Sequence, residues 1–221
     1  MSETLTTDLS AIGLGFDRWQ DAVEAAIASG ALAVTGEVRG GQLIQYSDAS
    51  GARLNILAVE PFATFAGFDS VTRAYAHITQ LNDVVALADI VDPHGGAIAS
   101  VTLNLAQGPL LVDAAPLQWQ ELAATALMLD TQLYETVESF LATNPGQVLG
   151  AVNSPGAEAV AAGSPAAPDA SATLSARVLE AEYRTSQLTG QRFIHASVDA
   201  AFPFDVCLPD GELPARDSVI A

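Results

Sequence analysis

Apolar positions change period several times along this chain, and each change marks an element. Over residues 16–29, Phe16, Trp19, Val23, Ala26 and Ile27 recur at helical spacing. Asp17, Asp21 and Glu24 fall off that stripe, and Gly30 follows as a stop signal, so a helix is predicted. The period then shortens to two. Residues 31–38, 42–46 and 53–60 read as strands, the last two joined through Asp48-Ala49-Ser50-Gly51. Glycine supplies the positive φ such a turn often needs. Residues 71–80, 83–91 and 97–105 are rich in β-branched and aromatic side chains. Asn82 and the cluster Asp92-Pro93-His94-Gly95-Gly96 separate them, which predicts an antiparallel meander. The uncharged run 62–68 carries Phe62, Phe65 and Phe68, and reads as core or as a contact patch.

Residues 117–134 fit two periods. Trp119, Leu122, Ala123 and Ala126 suit a helix, whereas Leu127, Leu129, Thr131 and Leu133 alternate as in a strand. From Glu135 the helical pattern is firmer, with Val137, Phe140 and Leu141 on one face before Asn144-Pro145-Gly146. Residues 153–172 are almost wholly Ala, Gly, Ser, Pro and Asp, with no aromatic side chain, and read as a mobile loop or linker. Strands are predicted again near 173–184, 192–198 and 204–208, with a polar tail from Pro209.

A short pattern recurs. Ser50-Gly51-Ala52-Arg53-Leu54, running on to Val59-Glu60, is answered by Thr189-Gly190-Gln191-Arg192-Phe193, running on to Val198-Asp199. A predicted helix precedes each copy. The expected fold is therefore α+β, mainly antiparallel β, with internally duplicated helix–β-hairpin units forming a barrel-like or sandwich core with two short helices. Residues 1–150 hold the first unit, the meander and the second helix; 151–172 are linker or loop. Residues 173–221 hold the second unit, which is too short to stand alone and is expected to pack on the first. An antiparallel pairing across a two-fold would set Arg53 against Asp199 and Arg192 against Glu60.

Composition narrows the function classes. With 26 acidic residues against 8 arginines and no lysine, the net charge is −18. Nucleic acid and anionic membrane surfaces are poor partners for such a chain, because both need clustered cations. Lysine Schiff-base and pyridoxal chemistry are excluded for want of the amine, and the lysine-bearing phosphate loop with them. Neither a Gly-x-Gly-x-x-Gly fingerprint nor a Gly-x-Ser-x-Gly elbow occurs. The single cysteine, Cys207, allows no internal disulfide and reads as a buried, inert thiol. The first residues lack a basic start and an apolar stretch, so a cytoplasmic protein without a membrane span is expected.

Candidate chemistry rests on few groups. The repeated Arg53 and Arg192 are suited to a carboxylate or phosphate if they meet at the junction of the copies. His77 and His195 are titratable side chains in predicted strands, and His195 stands where the first copy has the apolar Ile56. These four form the expected ligand site. His94, near Asp89 and Asp92, reads as part of an ordinary turn. No catalytic residue, metal site or cofactor is expected. The preferred expectation is a non-catalytic binding or assembly module, using sheet edges to take a protein partner or to self-associate, a homodimer included. The alternative is a small-ligand-binding protein or enzyme with its pocket at the junction of the two repeats.

Overall fold

The structure is a computed structural model that describes residues 7–164 and 167–221. The first helix, α1 (Trp19–Ser29), ends at Gly30, whose φ of 68° turns the chain out of the helix. Strands β1 (Leu32–Val38) and β2 (Gly41–Ser47) follow, joined by Arg39 and Gly40, both left-handed as a tight hairpin turn requires. With β3 (Ala52–Leu57) and β4 (Ala63–Phe68) they form a first sheet of order β1-β2-β3-β4. The run 62–68 is thus mostly strand. Phe65 is buried, whereas Phe62, just before the strand, is 72% exposed.

The predicted meander is present as β5 (Ala74–Gln80), β6 (Val85–Val91) and β7 (Ala97–Asn104). The ambiguous stretch resolves as strand. β8 (Leu117–Leu122) pairs with β5, closing a second sheet of order β7-β6-β5-β8. Next come β9 (Thr125–Leu127), β10 (Leu133–Tyr134) and helix α2 (Val137–Thr143), the last capped by a reciprocal Thr136–Ser139 box.

Within 153–172, the described residues 153–164 and 167–172 include regular structure that their composition does not predict. β11 (Val152–Asn153) leads into helix α3 (Pro155–Ala161), and β12 (Thr173–Leu174) returns to pair with β11. The described residues therefore hold three short α-helices rather than two. Small residues make this docking possible. Ser154 caps α3 and accepts from the Thr102 backbone N–H at 3.0 Å, while the Thr102 hydroxyl donates to the Asp169 carbonyl at 2.6 Å. Gly156 sits against both groups, and a Cβ there would overlap Thr102 Oγ1 and the Asp169 carbonyl oxygen. Gly156→Ala is expected to cost about 1–3 kcal/mol as an overpacking change. Thermal unfolding and limited proteolysis within 153–172 would read it; an unchanged melting temperature and cleavage pattern would refute this docking.

The remaining strands are β13 (Ala176–Thr185), β14 (Arg192–Asp199), β15 (Phe204–Pro209) and β16 (Val219–Ile220). Together with β9 and β10 they form a third sheet of order β10-β16-β13-β14-β15-β9, antiparallel except where β15 meets β9. One face of this sheet, with Val178, Ile194, Ala196, Val206 and Leu208, packs against Ala76, Ile78, Ala88 and Ile90 of the second sheet. The other face places Phe193 and Cys207 against Tyr46, Leu54 and Ala66 of the first sheet, with Ala22 and Ala26 of α1 beside them. β14 is thus covered on both faces, which is why Phe193, Ile194, His195 and Ala196 are buried in succession.

The two hairpin turns singled out by the repeated pattern lie against each other. The Asp48 carboxylate, in the first turn, accepts from the backbone N–H groups of Gln187 (2.9 Å) and Leu188 (3.2 Å) in the second. Arg184 Nη1 donates to the Ser50 carbonyl at 3.0 Å. Gly51 is required at this contact, because its φ is 98° and a Cβ would lie 2.8 Å from the Phe68 ring. No helix among the described residues is long and apolar enough to cross a membrane.

Candidate functional site

The register of the third sheet sets one row of polar groups side by side. Glu182 on β13 lies opposite His195 on β14, and Ser197 on β14 lies opposite Asp205 on β15. Because side chains alternate, His195 and Ser197 share a face, and it is the face turned toward the first sheet. Beyond Phe193 that face is not filled by apolar side chains. It opens instead as a cleft of about 210 Å³, lined by Val71, Thr72, Glu180, Ala181, Glu182, Arg184, His195, Ser197 and Asp205. Val71 and Thr72 belong to the connection from β4 to β5, so the cleft stands where the two hairpin regions meet.

Asp205 is the floor. It is fully buried and accepts hydrogen bonds from the hydroxyls of Ser70 (2.5 Å) and Thr72 (2.6 Å). Burial opposes its ionisation, but the His195 ring and the two hydroxyls outweigh burial and hold its carboxyl below the usual carboxylate range. His195 is 8% exposed and stacks on Phe68 with ring centres 5.0 Å apart. Its Nδ1 is 3.6 Å from Glu182 Oε1, and its Nε2 is 3.2 Å from Asp205 Oδ2. The Nε2 contact lies outside hydrogen-bond geometry, so that buried nitrogen has no directed partner among the described residues. Arg184 is committed: Nε and Nη2 bind Glu182 at 2.8 and 2.7 Å, Nη1 binds the Ser50 carbonyl, and the guanidinium lies 5.4 Å from the Phe68 ring centre. The Arg184 side chain beside Glu182 holds that carboxyl below its ordinary range.

Of the four residues expected to form a ligand site, the cleft contains His195 and not Arg53, Arg192 or His77. Arg53 pairs with Asp69 at 2.7 Å, and Arg192 with Asp210 at 2.8 Å while covering the Tyr183 ring at 4.1 Å. The expected pairs with Asp199 and Glu60 do not form, because β3 and β14 belong to different sheets; Asp199 instead binds Arg177 at 2.7 Å. His77 is on the second sheet, where Nδ1 accepts the Trp119 backbone N–H at 3.1 Å beside a bulge in the β5–β8 ladder. His94 lies in its turn, with its backbone N–H donating to Asp92. Cys207 is fully buried, and burial pushes its thiol up. Among the described residues, no group of three or more His, Cys, Asp or Glu side chains is placed to hold a metal ion.

Sequence reasoning did not single out Asp205, Ser70, Thr72, Glu180, Glu182 or Arg184. One signal was available: Asp205 is the lone charge in the apolar strand Phe204-Asp205-Val206-Cys207-Leu208. An acid in a strand buried on both faces needs partners, and those partners come from elsewhere in the chain. A second hollow, of about 380 Å³ between Glu37–Arg39 and Pro109–Ala114, contains no buried titratable group. Comparisons with protein-family models, with curated proteins and with solved structures return no match.

Proposed function

We propose that this chain is a binding protein for a small polar ligand, held in the cleft between the connection 69–72 and strands β13–β15. The observation that carries this reading is His195: a nearly buried imidazole that lines the cleft beside the buried Asp205 carboxylate, with Nε2 3.2 Å from Asp205 Oδ2. The cleft is lined mainly by polar and charged side chains, with Val71 and Ala181 as its apolar contribution, which suits a polar ligand.

The chain has three histidines, so its imidazole ring resonances form a simple reporter. Titration with mixtures of small polar molecules is expected to move the His195 resonance and leave those of His77 and His94 in place. Glu180→Trp, at an exposed position on the cleft wall, is expected to block the response. Binding that leaves the His195 ring unmoved, or that survives Glu180→Trp unchanged, would place recognition elsewhere and end this reading.

A further inference from the structure

We propose that the outer face of the second sheet binds a neutral polysaccharide, independently of the cleft. Three hydrogen-bonded strands set one polar row across that face. His77 on β5 lies opposite Asp89 on β6, and Asp89 lies opposite Ser100 on β7. Residues paired across antiparallel strands share a face. Here it is the face away from the core, since Ala76, Ile78, Ala88 and Ile90 alternate with the row and are buried. Adjacent strands lie about 4.8 Å apart, so the row spans about 10 Å, room for more than one sugar ring. Beside it stand two aromatic side chains, Trp119 at 50% exposure and Tyr75 at 45%. Tyr75 shares the face of His77, two positions away on β5. The Trp119 indole meets the His77 ring edge-on, with ring centres 5.4 Å apart.

The indole is held there at a cost. Trp119 stands in the β5–β8 bulge with a φ of 55°, a left-handed conformation that bulky residues rarely adopt. Its backbone N–H is fixed by His77 Nδ1 at 3.1 Å. Bulges re-aim side chains, and strained backbone collects at ligand-binding positions. The hydrogen-bonding groups specify the occupant. Because Nδ1 accepts, the His77 ring carries its proton on Nε2, which is a donor. The Ser100 hydroxyl donates to Asp89 Oδ1 at 2.5 Å, which leaves Asp89 Oδ2 as an acceptor. A donor beside an acceptor matches neighbouring sugar hydroxyls, each of which both gives and takes a hydrogen bond. The C–H face of a sugar ring packs on an aromatic ring as other apolar surface does. An anionic polymer is opposed by the net charge of −18. A protein partner is disfavoured by the polar row, because the centre of a protein interface is depleted of charge.

The test is electrophoresis of the full chain through native gels containing hydroxyethylcellulose, dextran or galactomannan, with polygalacturonate as the anionic control. At least one neutral polymer is expected to retard the protein, and polygalacturonate is not. Trp119→Ala and Tyr75→Ala should each weaken the affinity about tenfold. Both rings are exposed, so each variant is expected to melt with the wild type. Short oligosaccharides of the retarding polymer should move the His77 ring resonance and leave that of His195 in place. Free migration in every neutral gel, retardation unchanged in both variants, or equal retardation by polygalacturonate would overturn the proposal. Oligosaccharides that move His195 instead would place the sugar in the cleft, overturning this site while sustaining the cleft reading. A wild-type dimer in sedimentation that Trp119→Ala dissociates would show that a second copy covers this face, and would overturn it too.

Discussion

Asp48→Ala is expected to lower the unfolding free energy by about 4 kcal/mol, a large share of the 5–15 kcal/mol typical of a domain. Asp48 is buried, and its carboxylate gathers donors from both hairpin turns. The Tyr46 hydroxyl donates at 2.8 Å, the Ser50 N–H at 2.9 Å and the Ser186 hydroxyl at 3.3 Å, besides the N–H groups of Gln187 and Leu188. Alanine would leave these donors facing an apolar gap, at about 1–3 kcal/mol for each that water cannot reach. Burial and the Asp48 carboxylate push the Tyr46 phenol up to about 12. Denaturant unfolding monitored by circular dichroism reads the loss. A midpoint within experimental error of the wild type would show that the two turns do not depend on this carboxylate.

Asp205→Ala is expected to cost about 3 kcal/mol and to reduce the sensitivity of the fold to acid. The stability cost follows from the Ser70 and Thr72 hydroxyls losing their acceptor and from His195 losing its neighbouring charge. The acid effect has a definite sign. The Asp205 and Asp48 carboxyls are both held below 3.8 in the folded protein, so the unfolded chain binds more protons between the folded and unfolded values. Their contributions are complete above about pH 5 and are lost as pH falls through the unfolded and then the folded values. Melting temperatures recorded from near-neutral pH down to about pH 3 should fall less steeply for Asp205→Ala than for the wild type. Parallel profiles would mean that this carboxyl titrates alike in folded and unfolded chains. Thr72→Val is a useful companion, since it removes one donor to Asp205 while keeping the charge.

Much of the architecture was legible from local period. Strands predicted around 31–38, 53–60, 71–80, 83–91, 97–105 and 192–198 from alternation or strand-forming composition are present, and α1 carries Trp19 and Val23 of its predicted stripe. Where the period was mixed, pairing decided. Residues 117–122 became β8 because β5 offered an open edge, with Ala74 opposite Leu122 and Ala76 opposite Gln120. The α3 segment was not legible, because its burial rests on a fit of glycine and serine against Thr102 rather than on apolar area.

The candidate site shows the same division. His195 was noticed as a polar residue where the strand with the similar pattern has Ile56, and it lines the cleft. The repeated arginines drew attention by their pattern, yet each binds a nearby acid at the surface, as an isolated exposed cation in an acidic chain tends to do.

What this sequence determined by itself was where the chain runs extended, where it turns and how strongly negative it is. Those properties depend on neighbours a few positions apart and on counts. Only the tertiary structure decided that β14 is covered on both faces, that the hairpin turns meet at Asp48, and that Ser70 and Thr72 reach Asp205. Such contacts join segments far apart along the chain, and no local period encodes which segment an unpaired buried group will meet.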